Sequence, residues 1–151
     1  MKFAAASVAI ALTLAGVGAH AAADKARLTL KANPTMAFSP ARIVVTADMT
    51  GGPNDNQQLY CPAIEWEWGD GTKSEESADC DPYQAGKTEI KRHFTADHTY
   101  RVENEIGAIS DYRDYRIQLR LKKNGKVVLS GGTTVKIKPE MEPAAAVSRL
   151  P

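Results

Sequence analysis

The most informative stretch of this chain is Ile64-Glu65-Trp66-Glu67-Trp68-Gly69-Asp70-Gly71-Thr72. Three apolar side chains alternate with two glutamates, which is the pattern of a β-strand with one buried face. The glycines that follow reverse the chain, and Asp-Gly is favoured where both central residues of a turn need positive φ. The stretch therefore predicts a β-hairpin with Asp70-Gly71 as a two-residue loop.

The two cysteines of the chain lie on either side of this loop at equal distances. With a two-residue loop, the hairpin register places Cys61 directly opposite Cys80. We therefore expect a disulfide bond between them at the open end of the hairpin. Structural disulfides are typical of exported proteins, and closing a loop of this size stabilises a fold by about 3 kcal/mol.

The N-terminal segment, residues 1–23, has the pattern of a cleaved signal peptide. Lys2 precedes an apolar, Ala-rich core, and small residues at Ala19-His20-Ala21 and Ala21-Ala22-Ala23 provide two cleavage sites. The core is too short to cross a membrane, and no later segment is long enough. We expect an exported chain, periplasmic or extracellular, without an integral membrane segment after cleavage; a retained N-terminal anchor is the alternative.

Length and charge limit the function classes. The chain has 151 residues, and residues 24–138 are enough for one domain, followed by a Pro- and Ala-rich flexible tail at 139–151. The chain has 19 Lys and Arg against 18 Asp and Glu, and loss of Lys2 makes the two equal. This balance disfavours binding to nucleic acid or to a membrane surface through a basic patch.

The rest of the chain reads as strands separated by turn-rich loops. Strands are predicted at 27–32, 42–47, 88–94, 112–122 and 127–137, in addition to the central hairpin, with Asn124-Gly125 as a second hairpin turn and Gly131-Gly132 as a bulge. About seven short strands at this spacing indicate an all-β, antiparallel β-sandwich.

An ordered set of motifs resembles the PKD (polycystic kidney disease) domain, an immunoglobulin-like β-sandwich of extracellular regions. The motifs are Trp66 to Thr72, then His98-Thr99-Tyr100, then Tyr115-Arg116-Ile117-Gln118-Leu119. The resemblance implies that the tryptophans face the core, that Asp70 orders its own turn and that Tyr100 anchors the loop entering the later strands. The structural motif comprises Trp66, Trp68, Gly69, Asp70, Gly71, His98, Tyr100 and Tyr115. Members of the family usually serve as non-catalytic spacers or binding modules.

Two features depart from the family pattern. The segment Arg101–Asp114 is longer than the family's usual link before the Tyr115 strand, and the cysteines of the hairpin are an addition. Both departures affect loops, where a scaffold of this kind acquires its function.

Charged and aromatic side chains provide the candidate binding residues. Residues 65–81 hold seven acids and one lysine, and residues 113–138 hold eight bases and one acid. Neighbouring strands would place Glu65 and Glu67 beside Arg116 and Arg120, as pairs that fix register or as a docking face. Tyr83 and Tyr112 are the aromatic candidates for a binding surface.

Metal binding and catalysis find little support in the sequence. Asn54-Asp55-Asn56, or Asp79 with Asp81, could supply oxygens to a calcium ion, but neither run has the spacing of a known calcium loop. His93 and His98 lack the context of a zinc site. No nucleophile motif is present either. Together these observations lead us to expect no metal, no cofactor and no enzyme activity.

The expected function is therefore an exported, non-catalytic binding module for an unidentified protein or polysaccharide, acting through loops and the charged sheet face. The alternative is an exported inhibitor or accessory factor of an enzyme, which would act through the long loop at residues 101–114.

Overall fold

The computed structural model describes residues 25–103 and 111–139. This part of the chain contains eight β-strands and no helix. In chain order the strands are β1 (Arg27–Asn33), β2 (Met36–Phe38), β3 (Ala41–Thr50), β4 (Ala63–Glu67), β5 (Lys73–Glu76), β6 (His93–Tyr100), β7 (Arg113–Lys123) and β8 (Lys126–Lys138). The expected signal peptide, the centre of the long loop and all but the first residue of the expected tail lie outside the described residues.

The strands form two sheets, which confirms the all-β class and agrees with a β-sandwich. The smaller sheet has the order β1-β3-β6, and the larger has the order β2-β8-β7-β4-β5. Strand β2, between Pro34 and Pro40, raises the number of strands to eight. It pairs with β8 in parallel, whereas all other pairings in the described residues are antiparallel. The prediction of a wholly antiparallel fold is therefore wrong at this edge.

The core lies between the two sheets and follows from the alternation of apolar residues. In β3 every second residue is buried, and Ile43 and Val45 have no exposed surface. In β7, Ile117, Leu119 and Leu121 are likewise fully buried. A period of two in each strand places these side chains on one face, and burying that face is the main source of stability.

The central hairpin has a three-residue loop, so the expected two-residue loop is wrong. The Trp68 amide donates to the Thr72 carbonyl at 3.1 Å, which leaves Gly69-Asp70-Gly71 between them. Gly69 packs so closely on β7 that a Cβ there would lie 2.7 Å from the Arg116 carbonyl oxygen, and its φ is 81°. Only glycine fits this approach and this φ without strain.

The different loop shifts the hairpin register by one residue, so the cysteines are not directly opposite. They lie beyond the paired residues, because β4 begins at Ala63 and β5 ends at Glu76. The disulfide bond between Cys61 and Cys80 nevertheless forms, with the two Cα atoms 6.3 Å apart. The expected covalent link is confirmed.

The strand expected at 88–94 begins and ends later, at His93–Tyr100. The preceding residues serve a loop instead: the Arg92 guanidinium donates to the carbonyls of Gly51 and Gly52 at 2.9 and 3.1 Å. An apolar pattern alone could not reveal this, because β6 buries only Phe94 and Tyr100.

The predicted bulge lies elsewhere, because the irregularity in β8 is near Val128. Leu121 pairs with Leu129 and Lys122 with Val127, so Val128 is the extra residue. Gly131 has a different role, because a Cβ there would lie 2.8 Å from Leu30 Cδ1. Since glycine has no Cβ, β1 can pack closely on β8 at this position.

Candidate functional site

The two tryptophans of β4 and its loop are core residues. Trp66 and Trp68 are 3% and 1% exposed, and their rings stack 5.7 Å apart. The row continues through His98, stacked 4.8 Å from Trp68, to Tyr100 and then Tyr115, with 4.7 Å between successive ring centroids. Buried indoles cannot stack on a sugar, so this face of the hairpin serves the fold.

Asp70 closes the hairpin loop and links it to the other sheet. Its Oδ1 accepts from the Thr72 amide at 2.9 Å and from the Thr72 hydroxyl at 2.6 Å, and its Oδ2 lies 2.6 Å from His98 Nε2 on β6. Burial acts to raise the pKa of Asp70, but the hydrogen bonds from Thr72 and His98 outweigh it and hold the pKa below its ordinary value.

Tyr100 joins the sheets at the same end. Its buried hydroxyl donates to the Trp68 carbonyl at 2.7 Å, so it holds the start of the hairpin loop. Burial raises the pKa of Tyr100, and the nearby charge of Asp70 adds to the effect.

The outer face of the hairpin carries a continuous array of ion pairs. Arg120 binds Glu67 with two contacts of 2.8 Å and approaches Glu65 Oε1 at 3.4 Å. Lys122 pairs with the other oxygen of Glu65, and Lys73 lies 2.6 Å from Glu67. Each glutamate of β4 therefore has two cationic partners.

Arg116 takes no part in this array. It lies opposite Thr134 on β8 and beside Gly69, and it makes no ion pair among the described residues. The register of β7, which the sequence did not reveal, places Arg120 rather than Arg116 across from Glu65. Lys73 and Lys122, which sequence reasoning missed, lie beside the glutamates instead.

The array keeps both glutamates ionised and neutralised. The hydrogen bond from Lys122 holds the pKa of Glu65 below its usual value in spite of burial, and Lys73 does the same for Glu67. Glu65 is only 4% exposed. A face whose charges are already paired has little to offer a charged partner, so it favours the fixing of register over docking.

The other end of the hairpin, around the disulfide bond, carries exposed polar residues. A groove of about 380 Å³ lies there, and it is lined by Gln57, Tyr60, Cys61, Ala78, Asp79, Cys80, Asp81, Pro82, Tyr83 and Lys123. The rings of Tyr60 and Tyr83 are tilted against each other at 5.7 Å. Lys123 lies 5.8 Å from the Tyr60 ring centroid and donates to the Tyr60 carbonyl at 2.7 Å.

Both tyrosine hydroxyls of this groove are oriented by the protein. Tyr60 donates to the Asp81 carbonyl at 2.9 Å, and Tyr83 donates to the Asp55 carboxylate. The hydrogen bond to Asp55 raises the pKa of Tyr83. The rings and their hydroxyls are therefore held in place before any partner arrives, which lowers the entropic cost of binding.

The second aromatic candidate, Tyr112, lies at the opposite end of β7 from this groove. It is half-buried, and the Lys138 ammonium lies 5.7 Å from its ring centroid and 5.9 Å from that of Phe38. The two candidate tyrosines, Tyr83 and Tyr112, therefore lie at different ends of the sandwich.

The side-chain oxygens of residues 54–56, one of the two runs considered for calcium, are bound to protein donors. Asn54 Oδ1 accepts from Arg92 Nε at 3.0 Å, Asn56 Oδ1 from the Gln58 amide at 3.0 Å, and Asp55 from Tyr83 and the Gly86 amide. Within residues 25–103 and 111–139, no three His, Cys, Asp or Glu side chains are close enough to hold a metal ion. In the same residues no helix is long and apolar enough to cross a membrane.

Comparison with known proteins adds no identity: no protein-family model matches the chain, and no curated protein matches it significantly. The resemblance to the PKD domain therefore rests on the motifs of the sequence. The candidate site is defined by geometry alone, as the groove beside the disulfide bond.

Proposed function

We propose that this chain is an exported, non-catalytic binding module of the PKD type, which engages a protein or an extracellular polymer through the loops at the disulfide end of its sandwich. The observation that carries the proposal is the groove of about 380 Å³ at that end, with its two oriented tyrosines and exposed Asp79 and Asp81. Concave sites with aromatic rings and a few placed polar groups are the usual form of a binding site.

The order of the strands supports the immunoglobulin-like part of the proposal. Three strands face five, and the larger sheet has β8, β7 and β4 at its centre, as the G, F and C strands are arranged in immunoglobulin folds. Trp66 on the third of these strands is buried against the opposite sheet, which is the place of the core tryptophan in that fold.

Export is supported by the disulfide bond between Cys61 and Cys80, since such bonds persist in oxidising compartments. The signal-like residues 1–23 support it independently. A test is to express the full chain in a bacterium and fractionate the cells. We expect a processed, disulfide-bonded product in the periplasm or medium; an unprocessed product in the cytoplasm would contradict export.

The binding function is tested by immobilising the processed protein and passing the native exported fraction over it. We expect the immobilised protein to retain one stoichiometric protein partner. If the partner is a polymer, we expect the free protein to be retained on an insoluble polysaccharide in a second assay. Tyr83→Ala should abolish retention, because Tyr83 lies in the groove. Tyr112→Ala is the matched control at the far end of β7 and should leave retention unchanged. Equal retention by both variants would contradict the groove as the binding site.

A further inference from the structure

The β5 strand is a free edge of the larger sheet. It pairs only with β4 in the part of the chain that the structure describes, and all four of its residues are exposed. Because Trp68 and Thr72 form a hydrogen-bonded pair, the alternation of an antiparallel ladder turns the backbone groups of Lys73 and Glu75 away from β4. Two N–H and two C=O groups therefore face outward at this edge.

The edge is acidic, and its charge differs from that of the strand beside it. Residues 75–81 contain Glu75, Glu76, Asp79 and Asp81 and no lysine or arginine. None of the four makes an ion pair within the described residues, whereas both glutamates of β4 are paired with cations. The unneutralised negative charge of the hairpin is thus concentrated along its outer edge.

A recess lies beside this edge and gives it shape. It has a volume of about 320 Å³ and is lined by Ala63, Ile64, Glu65, Glu75, Glu76, Ser77 and Lys122. Its lining combines the apolar side chains of Ala63 and Ile64 with three carboxylates and the ammonium group of Lys122. The disulfide bond at Cys80 fixes the chain just beyond it, so the edge is held in position without a partner.

We propose that β5 accepts an extended, basic segment of a protein partner as an additional antiparallel or parallel strand of the larger sheet. The inference rests on the proposed binding function and names the class of partner. Strand addition uses the outward backbone groups for affinity, while alternate side chains supply specificity. Lysine or arginine side chains of the partner would meet the free carboxylates of residues 75–81.

The same charges argue against a second copy of the chain pairing through β5. Two β5 edges would bring like carboxylates together, and charged edge residues are a known means of preventing such pairing. We therefore expect β5 to pair with a strand of opposite charge and not with the β5 strand of a second copy.

The test uses a synthetic peptide of alternating lysine and valine, with a glutamate-for-lysine peptide as control. We expect the basic peptide to bind the processed full chain, as measured by calorimetry, and the acidic peptide not to bind. On binding, the backbone amides of Lys73 and Glu75 should become protected from hydrogen exchange, because they donate to the added strand.

Two proline variants separate strand addition from general electrostatic attraction. Glu75→Pro removes an outward amide and leaves the β4 ladder intact, so it should weaken binding about tenfold, the equivalent of one lost hydrogen bond. Glu89→Pro makes the same chemical change at an exposed loop residue outside the strands and should have no effect. Glu75→Gln should weaken binding less than Glu75→Pro and reduce its dependence on salt.

Equal peptide binding by Glu75→Pro and the unmodified protein would overturn strand addition, as would retention on polysaccharide as the only binding seen. Failure of the peptide to bind, while a partner from the exported fraction is still retained, would overturn this inference and leave the proposed binding function standing. Failure of both would remove the proposed function as well.

Discussion

The two ends of the β4–β5 hairpin are closed in different ways. At the loop end, Asp70, His98 and Tyr100 join the sheets through short hydrogen bonds; Tyr100 is buried, and the side chains of Asp70 and His98 are 22% and 19% exposed. At the open end, a disulfide bond holds Cys61 and Cys80, and residues 78–82 are exposed. The loop end joins the two sheets, whereas the open end exposes the carboxylates of Asp79 and Asp81, which make no ion pair among the described residues.

This comparison predicts that the loop end governs stability, and the largest effect should come from Trp68→Ala. Removal of a fully buried indole should lower the free energy of unfolding by about 3–5 kcal/mol. Urea denaturation would measure it. Tyr83→Ala at the open end should cost far less, and equal losses from the two variants would break the distinction between the ends.

Removal of the disulfide bond should have the next largest effect. The variant with Cys61→Ser and Cys80→Ser should lose about 3 kcal/mol of unfolding free energy, because its unfolded chain is no longer constrained by the cross-link. Partner binding should fall as well, since the groove loses its fixed wall. Unchanged stability on reduction of the native protein would contradict a structural role for the bond.

Asp70→Asn should produce a smaller, pH-dependent effect of about 1–2 kcal/mol near neutral pH, since it weakens hydrogen bonds to a charged group. The pKa of Asp70 is lowered in the folded state, so its contribution is present above the ordinary aspartate pKa of about 3.9 and is lost as the pH falls through the folded value. The difference between variant and native protein should therefore shrink below about pH 4. A difference independent of pH would show that the charge of Asp70 is not responsible.

The smallest effect should come from the outer face. A double-mutant cycle with Glu67→Gln and Arg120→Gln should show favourable coupling that weakens in high salt, because the two side chains form a two-contact ion pair. The matched cycle with Arg116→Gln should show none, because Arg116 forms no ion pair with Glu67. Absence of coupling in the first cycle would remove the role of the array in fixing register.

The local features of the hairpin were predicted correctly from the sequence, apart from the length of its loop. Alternation identified the buried face of Ile64, Trp66 and Trp68, and the Asn124-Gly125 turn correctly predicted a two-residue hairpin loop between β7 and β8. The cysteine pair was also found from the sequence. These features depend on residues that are close in the chain or on a simple period of two.

The sequence-based predictions were wrong where contacts with distant strands determine the local structure. Gly69 is shaped by the backbone of Arg116, and Gly131 by the side chain of Leu30, so neither could be interpreted from neighbouring residues. Arg92, which the sequence placed in a strand, donates instead to the carbonyls of another loop. Register also decided that Lys73 and Lys122, rather than Arg116, pair with the glutamates.

The sequence by itself determined that this is an all-β chain with a disulfide-linked hairpin, because periodicity, turn residues and cysteine content are local properties. Only the tertiary structure decided which charges are neutralised and which remain free. That outcome depends on the register between β4, β5 and β7, where a shift of one residue reverses every side chain from one face of the sheet to the other.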